Sequence, residues 1–363
     1  MGHGTPAPGP DRIPQPPRGG AGYDRPVSLL PTRSLGSAGP RITTLGFGAW
    51  AIGGGDTPFG WGPQDDADSV AAIRTALAAG VTWIDTAPAY GLGHSEEVVA
   101  RAIRGMAEPP LVFTKCGMVW QDQPDGVPRP NLRPEQIRRE CEESLRRLRV
   151  DRLDLLQFHW PDRRTGTPVE ESWGAMADLV AEGKVRWAGV SNFGVDLLER
   201  CEPILHVDAL QPPLNPVQRA AAADVLPWCA QNGTGVIVYS PMMSGLLSGS
   251  FSRERMAALD PADWRRGFPE FQEPRLSRNL ALQEALRPVA ERHGVGVGAL
   301  AVAWTLAWPG VTGAIVGARN PAQVEGWLPA AGLNLGPEDL DEIAAAIEAT
   351  GAGDGPVRPP APA

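Results

Sequence analysis

Lys115 is one of only two lysines in a chain of 363 residues whose 33 cationic Lys and Arg side chains are otherwise all arginine. It closes the apolar run Leu-Val-Phe-Thr-Lys. An amine placed there can have its pKa shifted and can pass a proton or form a Schiff base, which a guanidinium cannot. Tyrosine and histidine are nearly as scarce, at 3 and 5 residues, and Tyr90 and His159 also lie just beyond apolar runs. Asp85 ends one such run in Trp-Ile-Asp-Thr-Ala-Pro-Ala-Tyr-Gly, and His159 follows another in Leu-Leu-Gln-Phe-His-Trp-Pro-Asp. A phenol with an ordinary pKa of about 10 is a poor acid near neutrality, but an ammonium beside it stabilises the phenolate and a carboxylate holds the ammonium. A neutral imidazole can orient a carbonyl group. Taken singly, each of the four reads as a cap, an ion-pair partner, a core ring or a loop histidine. On successive strand ends they read together as a site.

Short apolar runs at 45–49, 81–85, 111–115, 153–157, 185–190, 207–211, 235–239 and 311–316 read as eight buried strands. Helical patterns separate them. Val70, Ile73 and Leu77 share one face, as do Ile137, Cys141, Leu145 and Leu148 in a helix entered through Arg133-Pro134-Glu135. Strands alternating with helices over about 300 residues predict a (β/α)8 barrel, an α/β TIM barrel whose active site lies at the C-terminal ends of the strands. An open doubly wound sheet is the competing architecture, and no Gly-x-Gly-x-x-Gly fingerprint follows the first strand. Residues 31–45 read as an N-terminal β-hairpin closing the barrel bottom. Residues 250–277 form a long excursion after the seventh barrel strand, and such a loop is expected to be functional or disordered. Residues 1–30 and 351–363, rich in Pro and Gly, read as disordered tails around a barrel domain at 31–350.

A net charge of −9 and a pI near 5.2 argue against nucleic-acid and anionic-membrane partners. The four cysteines, Cys116, Cys141, Cys201 and Cys229, show no Cys-x-x-Cys spacing, which fits reduced thiols in a cytoplasmic protein and gives no metal site. No apolar run is long enough to span a membrane or act as a leader. Lys184 reads as a surface or structural residue.

With these motifs in order, the chain resembles the aldo-keto reductase superfamily from about residue 31 to 348. The matching segments are Asp-Thr-Ala-Pro-Ala-Tyr-Gly, Phe-Thr-Lys, Gln-Phe-His-Trp-Pro-Asp, Glu-Gly-Lys-Val-Arg-Trp-Ala-Gly-Val-Ser-Asn-Phe, Tyr-Ser-Pro-Met-Met-Ser-Gly-Leu-Leu-Ser-Gly and Gly-Ala-Arg-Asn-Pro-Ala-Gln-Val. Ala-Ile-Gly-Gly-Gly and Thr-Lys-Cys-Gly-Met-Val-Trp look like the bacterial branch with inositol- and stress-associated reductases. The resemblance implies NAD(P)H-dependent reduction of an aldehyde or ketone, with Tyr90 as proton donor supported by Lys115, Asp85 and His159. It implies that Ser191, Asn192 and Gln211 hold the carboxamide, that Tyr239 stacks on the nicotinamide, and that Ser240 through Gly249 wrap the pyrophosphate, including Pro241, Met242, Gly245 and Leu247. Gly48, Trp50, Asp85, Gly317, Arg319 and Gln323 complete the expected cofactor contacts.

Two departures bear on the cofactor. Ser250 stands where many relatives have a phosphate-binding lysine, and Gly326 and Trp327 stand where relatives have Glu-Asn for the adenine. Arg319 remains as a bidentate phosphate ligand, with Arg253, Arg265 or Arg266 as further candidates, so NADPH is expected and NADH is the alternative. The partner is a small-molecule carbonyl substrate, met by Trp50, Tyr90, Trp120, His159 and Trp160. Two other readings stay open on the residues alone: a Schiff-base lyase or aldolase using Lys115, and a non-catalytic nicotinamide-binding sensor subunit.

Overall fold

The protein is described here by a computed structural model that covers residue 1 and residues 30–55, 59–121, 123–261 and 263–360. Almost all of the expected N-terminal extension lies outside the described residues. The strands, in chain order, are β1 (Thr32–Ser34), β2 (Arg41–Thr43), β3 (Leu45–Gly48), β4 (Trp83–Asp85), β5 (Leu111–Cys116), β6 (Met118–Val119), β7 (Arg129–Pro130), β8 (Leu153–Phe158), β9 (Val185–Ser191), β10 (Ala209–Gln211), β11 (Gly235–Val238) and β12 (Val311–Gly317). Eight of them close a barrel in the order β10-β11-β12-β3-β4-β5-β8-β9. Every pairing in it is parallel, with helices on the outside.

Side chains two residues apart on a strand share a face, and this periodicity divides the barrel interior into two layers. Trp83, Phe113, Leu155, Ala209, Ile237 and Ile315 form one buried apolar cluster with Leu35 and Ile42 of the hairpin. Two residues further on stand Asp85, Lys115, Gln157, Gln211 and Gly317 on the same strands and Tyr239 just past β11. The lower layer is therefore a plug and the upper layer is polar. The hairpin β1–β2 seals the lower end, as its sequence suggests. Trp83 Nε1 donates to Thr43 O at 2.8 Å, and Arg33 Nη1 donates to Leu306 O at 3.0 Å and Val311 O at 2.5 Å. Gly46 is required here, because a Cβ at that position would collide with the Trp83 indole.

Outside the barrel, the helix Pro134–Leu148 buries Ile137, Cys141 and Leu148. Its start matches the sequence signal, since extended Arg133 precedes Pro134, whose missing N–H is one that a first turn does not need. The excursion after β11 has a helix at Arg253–Ala257 and tight turns at Trp264–Gly267 and Pro269–Phe271, before the helix Arg275–Ala285. Of the alternatives open for it, the described part is folded, with Phe251 and Phe271 buried.

The C-terminal tail needs correction. Residues 351–360 dock on the barrel, while 361–363 lie outside the described residues. Ala352 is buried, Arg219 Nη1 donates to Ala352 O at 3.0 Å, and Arg219 N donates to Asp354 O at 3.1 Å. Glycine suggests flexibility by composition, but Gly353 has φ 61° and lies where a Cβ would collide with Val217 O. Its lack of a side chain permits the contact.

Candidate active site

Three strand ends bring the expected charged and phenolic groups together. Lys115 Nζ donates to Asp85 Oδ2 at 2.6 Å, Thr86 O at 3.0 Å and Tyr90 Oη at 3.2 Å. Those three contacts use all three ammonium donors. Asp85 is anchored from its other side, because Gln211 Nε2 donates to Oδ1 at 2.9 Å and also reaches Gln157 Oε1 at 3.3 Å. Gln157 is absent from the site read in the sequence, though the alternation from Leu155 could have placed it in the upper layer. His159 stands edge-on to the Tyr90 ring, with centroids 5.6 Å apart and planes at 83°. Its main chain is held at both ends, by His159 N to Cys116 O at 3.0 Å and by Asn192 Nδ2 to His159 O at 3.0 Å.

Burial sets the protonation states. It pushes Tyr90 well above the usual phenol pKa, reinforced by the Asp85 charge, so the hydroxyl keeps its proton at neutral pH. Burial and the Lys115 charge push His159 well below the ordinary imidazole value, leaving a neutral ring. Burial also lowers Lys115, while Asp85 acts in the opposite sense through its charge and hydrogen bond. On the outer helix beside the end of β5, Glu140 is buried and accepts from Gly117 N at 2.9 Å and Gln136 Nε2 at 2.6 Å. Burial raises its pKa to about 7, and the hydrogen bonds from Gln136 and Gly117 only partly offset this.

On the opposite side of the mouth, Ser191 Oγ donates to Gln211 O at 2.8 Å and Tyr239 Oη donates to Asn192 Oδ1 at 2.9 Å. Pro241 and Met242 fall in the loop that follows Tyr239. Within that loop Ser240, Met243 and Ser244 take φ values of 53°, 49° and 52°, and Gly245 and Gly249 are also left-handed. Such backbone costs roughly 1–2 kcal/mol per non-glycine residue, and alternating handedness turns amides into concave anion sites. Leu247 is fully buried, so only its backbone is available to a ligand. Gly48 and Gly317 are paired neighbours on β3 and β12.

Arg319 Nε donates to Gln64 Oε1 at 2.6 Å and its Nη2 donates to Pro63 O. Both acceptors are neutral, and no carboxylate reaches Arg319 among the described residues. Burial lowers the Arg319 pKa, and the nearby Arg265 charge lowers it further. An unneutralised guanidinium beside a second one fits an anionic group. Gln323 instead has a structural task, its Oε1 accepting from Arg319 N at 2.8 Å. Ser250 is exposed and accepts from Arg255 Nη1 at 3.2 Å, and Arg253 is paired with Glu273. Lys184 is tied to Glu142 and Glu182 at 3.1 and 3.2 Å, in line with its reading as a structural residue.

Trp50 lies at the mouth as expected, near-parallel to Tyr90 with centroids 6.2 Å apart. Its other ring neighbours, Trp61 at 5.3 Å and Trp264 at 5.1 Å, are absent from the sequence reading. Trp120 and Trp160 do not enter the described ring contacts, and Trp160 is 44 % exposed. A cleft of about 250 Å³ lies to one side, lined by residues including Asp162, Phe193 and Arg200, and none of the four central residues reaches it. A carboxylate, an ammonium, a protonated phenol and a neutral imidazole converge instead at the barrel mouth.

A (β/α)8 barrel with this group at its strand ends places the chain in the class of barrel oxidoreductases. The Aldo/keto reductase family profile matches residues 44–348, and the chain belongs to that family, whose members reduce carbonyl compounds with NAD(P)H. The chain is 37 % identical over 320 residues to the aldo-keto reductase YhdN of Bacillus subtilis, covering 87 % of this chain and 93 % of that one. It is 32 % identical to the NADH-specific methylglyoxal reductase of Escherichia coli, covering 86 % and 98 %. Among solved structures, the glycerol dehydrogenase AKR11B4 of Gluconobacter oxydans superposes with a TM-score of 0.80 at 35 % identity, over 93 % of this chain and 100 % of that one. These likenesses support the bacterial branch.

Proposed function

We propose that Tyr90 is the acid of an NAD(P)H-dependent carbonyl reduction, and that Asp85, Lys115 and His159 tune and aim it. The reading rests on Lys115: its ammonium donates to the Tyr90 oxygen at 3.2 Å, and the phenolic hydrogen meets no acceptor among the described residues. That hydrogen is therefore available to a substrate oxygen. When bound, the reduced nicotinamide supplies the hydride that forms the new C–H bond. As negative charge grows on the oxygen, the Tyr90 O–H bond breaks and the proton completes the alcohol. The tyrosinate left behind is compensated by the ammonium, in a site where low dielectric strengthens the interaction. Neutral His159 orients the carbonyl beforehand, and Asp85, held by Gln211, fixes the amine.

Ser191, Asn192 and Gln211 would hold the carboxamide, with Gln211 contributing what its bond to Asp85 leaves free. Tyr239 would face the nicotinamide ring, and the left-handed loop from Ser240 to Gly249 would receive the pyrophosphate. The unneutralised Arg319 favours NADPH through its 2′-phosphate. The competing preference is that of the Escherichia coli relative, named as NADH-specific. Among the described residues no helix is long and apolar enough to cross a membrane, and four buried free cysteines fit a cytoplasmic setting. Turnover of a carbonyl panel, followed by loss of reduced-nicotinamide absorbance with NADPH and NADH in parallel, tests the reading. Activity that favours NADPH supports it; inactivity across the panel with both cofactors removes it.

A further inference from the structure

Three tryptophan rings connect the catalytic tyrosine to the excursion that follows β11. Tyr90 lies near-parallel to Trp50, and Trp50 is near-parallel to Trp264 with centroids 5.1 Å apart and planes at 29°. Trp61 meets both Trp50 and Trp264 edge-on, at 84° and 78°. Trp50 and Trp61 come from the segment after β3 and Trp264 from the excursion after β11, and together they form a continuous aromatic wall beside the acid. Such walls offer large flat contact area, and aromatic pairs contribute beyond the area they bury.

Trp264 is held firmly in this position. Asp263 accepts from Arg265 N at 3.0 Å and pairs with Arg265 Nη2 at 2.6 Å, which closes the turn around residue 264. The Arg265 guanidinium lies over the Trp61 ring at 4.8 Å. Phe268 and Phe271 abut the Trp264 ring from behind at 5.5 and 6.5 Å, and buried Phe271 packs on Phe251. Packing alone does not account for this placement. Trp173, Trp304 and Trp327, which fill the helical layer, are fully buried, whereas Trp264 is only half-buried and ends against a ring that touches Tyr90. The indole N–H groups of Trp61 and Trp264 have no partner among the described residues, while that of Trp50 donates to Phe59 O at 3.0 Å. Trp304, Trp308 and Trp327 share the unpartnered state, so the ring geometry carries the argument.

We infer that Trp264 is a specificity-determining residue, brought to the substrate side by the excursion, and that with Trp50 and Trp61 it selects planar aromatic aldehydes over small aliphatic ones. This deepens the carbonyl-reductase reading and rests on it. It also sets the chain apart from relatives whose names point to methylglyoxal and glycerol, both too small to cover three rings.

The experiment compares wild type, Trp264→Ala and Trp264→Phe with 2-naphthaldehyde and propanal at saturating cofactor. Calorimetric binding of 2-naphthylmethanol, the aromatic product, is measured alongside. For Trp264→Ala the expected result is a tenfold or greater fall in kcat/KM for the naphthaldehyde, carried by KM, with propanal within twofold of wild type. The affinity for 2-naphthylmethanol should fall in step, cofactor affinity should hold, and Trp264→Phe should recover most of the loss. An equal fall for both aldehydes, a matching loss of cofactor affinity, or improved naphthaldehyde turnover in Trp264→Ala would overturn the inference. Should Trp264→Ala fail to fold, unchanged discrimination in Trp264→Leu would do the same. A wild type that turns over neither aldehyde defeats the reductase reading itself, and unaltered binding of 2-naphthylmethanol by the variants then removes the Trp264 assignment separately.

Discussion

The polar layer at the strand ends and the excursion after β11 meet at Trp50, but they are held in opposite ways. In the layer, Asp85, Lys115, Gln157 and Gln211 are buried and hydrogen-bonded across neighbouring strands, with Lys115 and Asp85 both at most 2 % exposed. The excursion relies on tight turns, ring contacts and surface ion pairs such as Arg275–Glu270. The difference teaches where each function belongs. A proton relay needs fixed donors in low dielectric, whereas substrate and cofactor preference can be adjusted on side chains that extend from a loop. Substitutions in the layer should therefore cost far more than substitutions around the excursion.

The sharpest way to break this contrast is at the acid. Tyr90→Phe should lower kcat by about 10²–10⁴-fold while cofactor affinity stays nearly unchanged, because the lost interaction belongs to the transition state. Steady-state kinetics and cofactor titration check it, and a variant keeping more than about a tenth of wild-type turnover would take Tyr90 out of the role.

Next comes the ion pair. Removing the charge with Lys115→Met strands Asp85 in the barrel, so stability should fall by about 3–5 kcal/mol in denaturant titration. In the wild type, borohydride with a carbonyl substrate should trap no adduct at Lys115, since an ammonium bound to Asp85 at 2.6 Å is not a nucleophile. A mass shift mapped to Lys115 would favour the lyase chemistry instead.

Glu140 probes the support beside the layer, where the outer helix Pro134–Leu148 meets Gly117 at the end of β5. Its folded pKa of about 7 exceeds the usual 4.5, so the native state binds the extra proton between those values. The favourable contribution is whole below about pH 4.5 and is lost as pH rises through 7, a total of about 3 kcal/mol. Glu140→Gln should flatten that decline and gain up to that amount at pH 8. Urea midpoints across the pH range measure it, and an unchanged slope would mean that the carboxylate ionises without penalty.

The smallest effect is expected on the loop side. A charge-assisted hydrogen bond contributes roughly 1.5–3 kcal/mol, so Arg319→Ala should weaken NADPH about ten- to a hundredfold and barely touch NADH. Equal weakening of the two would reassign Arg319 to the fold or the pyrophosphate. No weakening of either would move the phosphate to Arg265 or Arg266.

The same contrast explains what could be read in the sequence. All eight barrel strands were legible because each is a short apolar run, and Asp85, Lys115 and Tyr239 were legible because a polar group stands where such a run ends. Gln157 also ends such a run, but a neutral amide has no acid–base chemistry of its own to single it out. Trp61 and Trp264 left no such signal. The tight turns of the excursion have no period, and contacts between residues near 50 and 264 are set by tertiary packing that no local pattern encodes. The docked tail at 351–360 was hidden because Gly353 looks the same to composition whether it is free or pressed against Val217 O.

The hairpin and the last barrel strand have a consequence for how the chain comes to be made. Arg33 reaches the carbonyls of Leu306 and Val311, and β12 pairs with β3 from Ala314↔Leu45 to Gly317↔Gly48. Those partners are about as far apart in sequence as the domain allows, so the ring cannot close during synthesis until its final strand has left the ribosome. Until then β3 offers an unpaired parallel edge, a known invitation to wrong pairing, and the loop that must be closed is long and slow to close. Chains cut short before residue 311 should therefore aggregate through β3 instead of persisting as smaller folded units, which makes the first and last strands of this barrel a single element in folding.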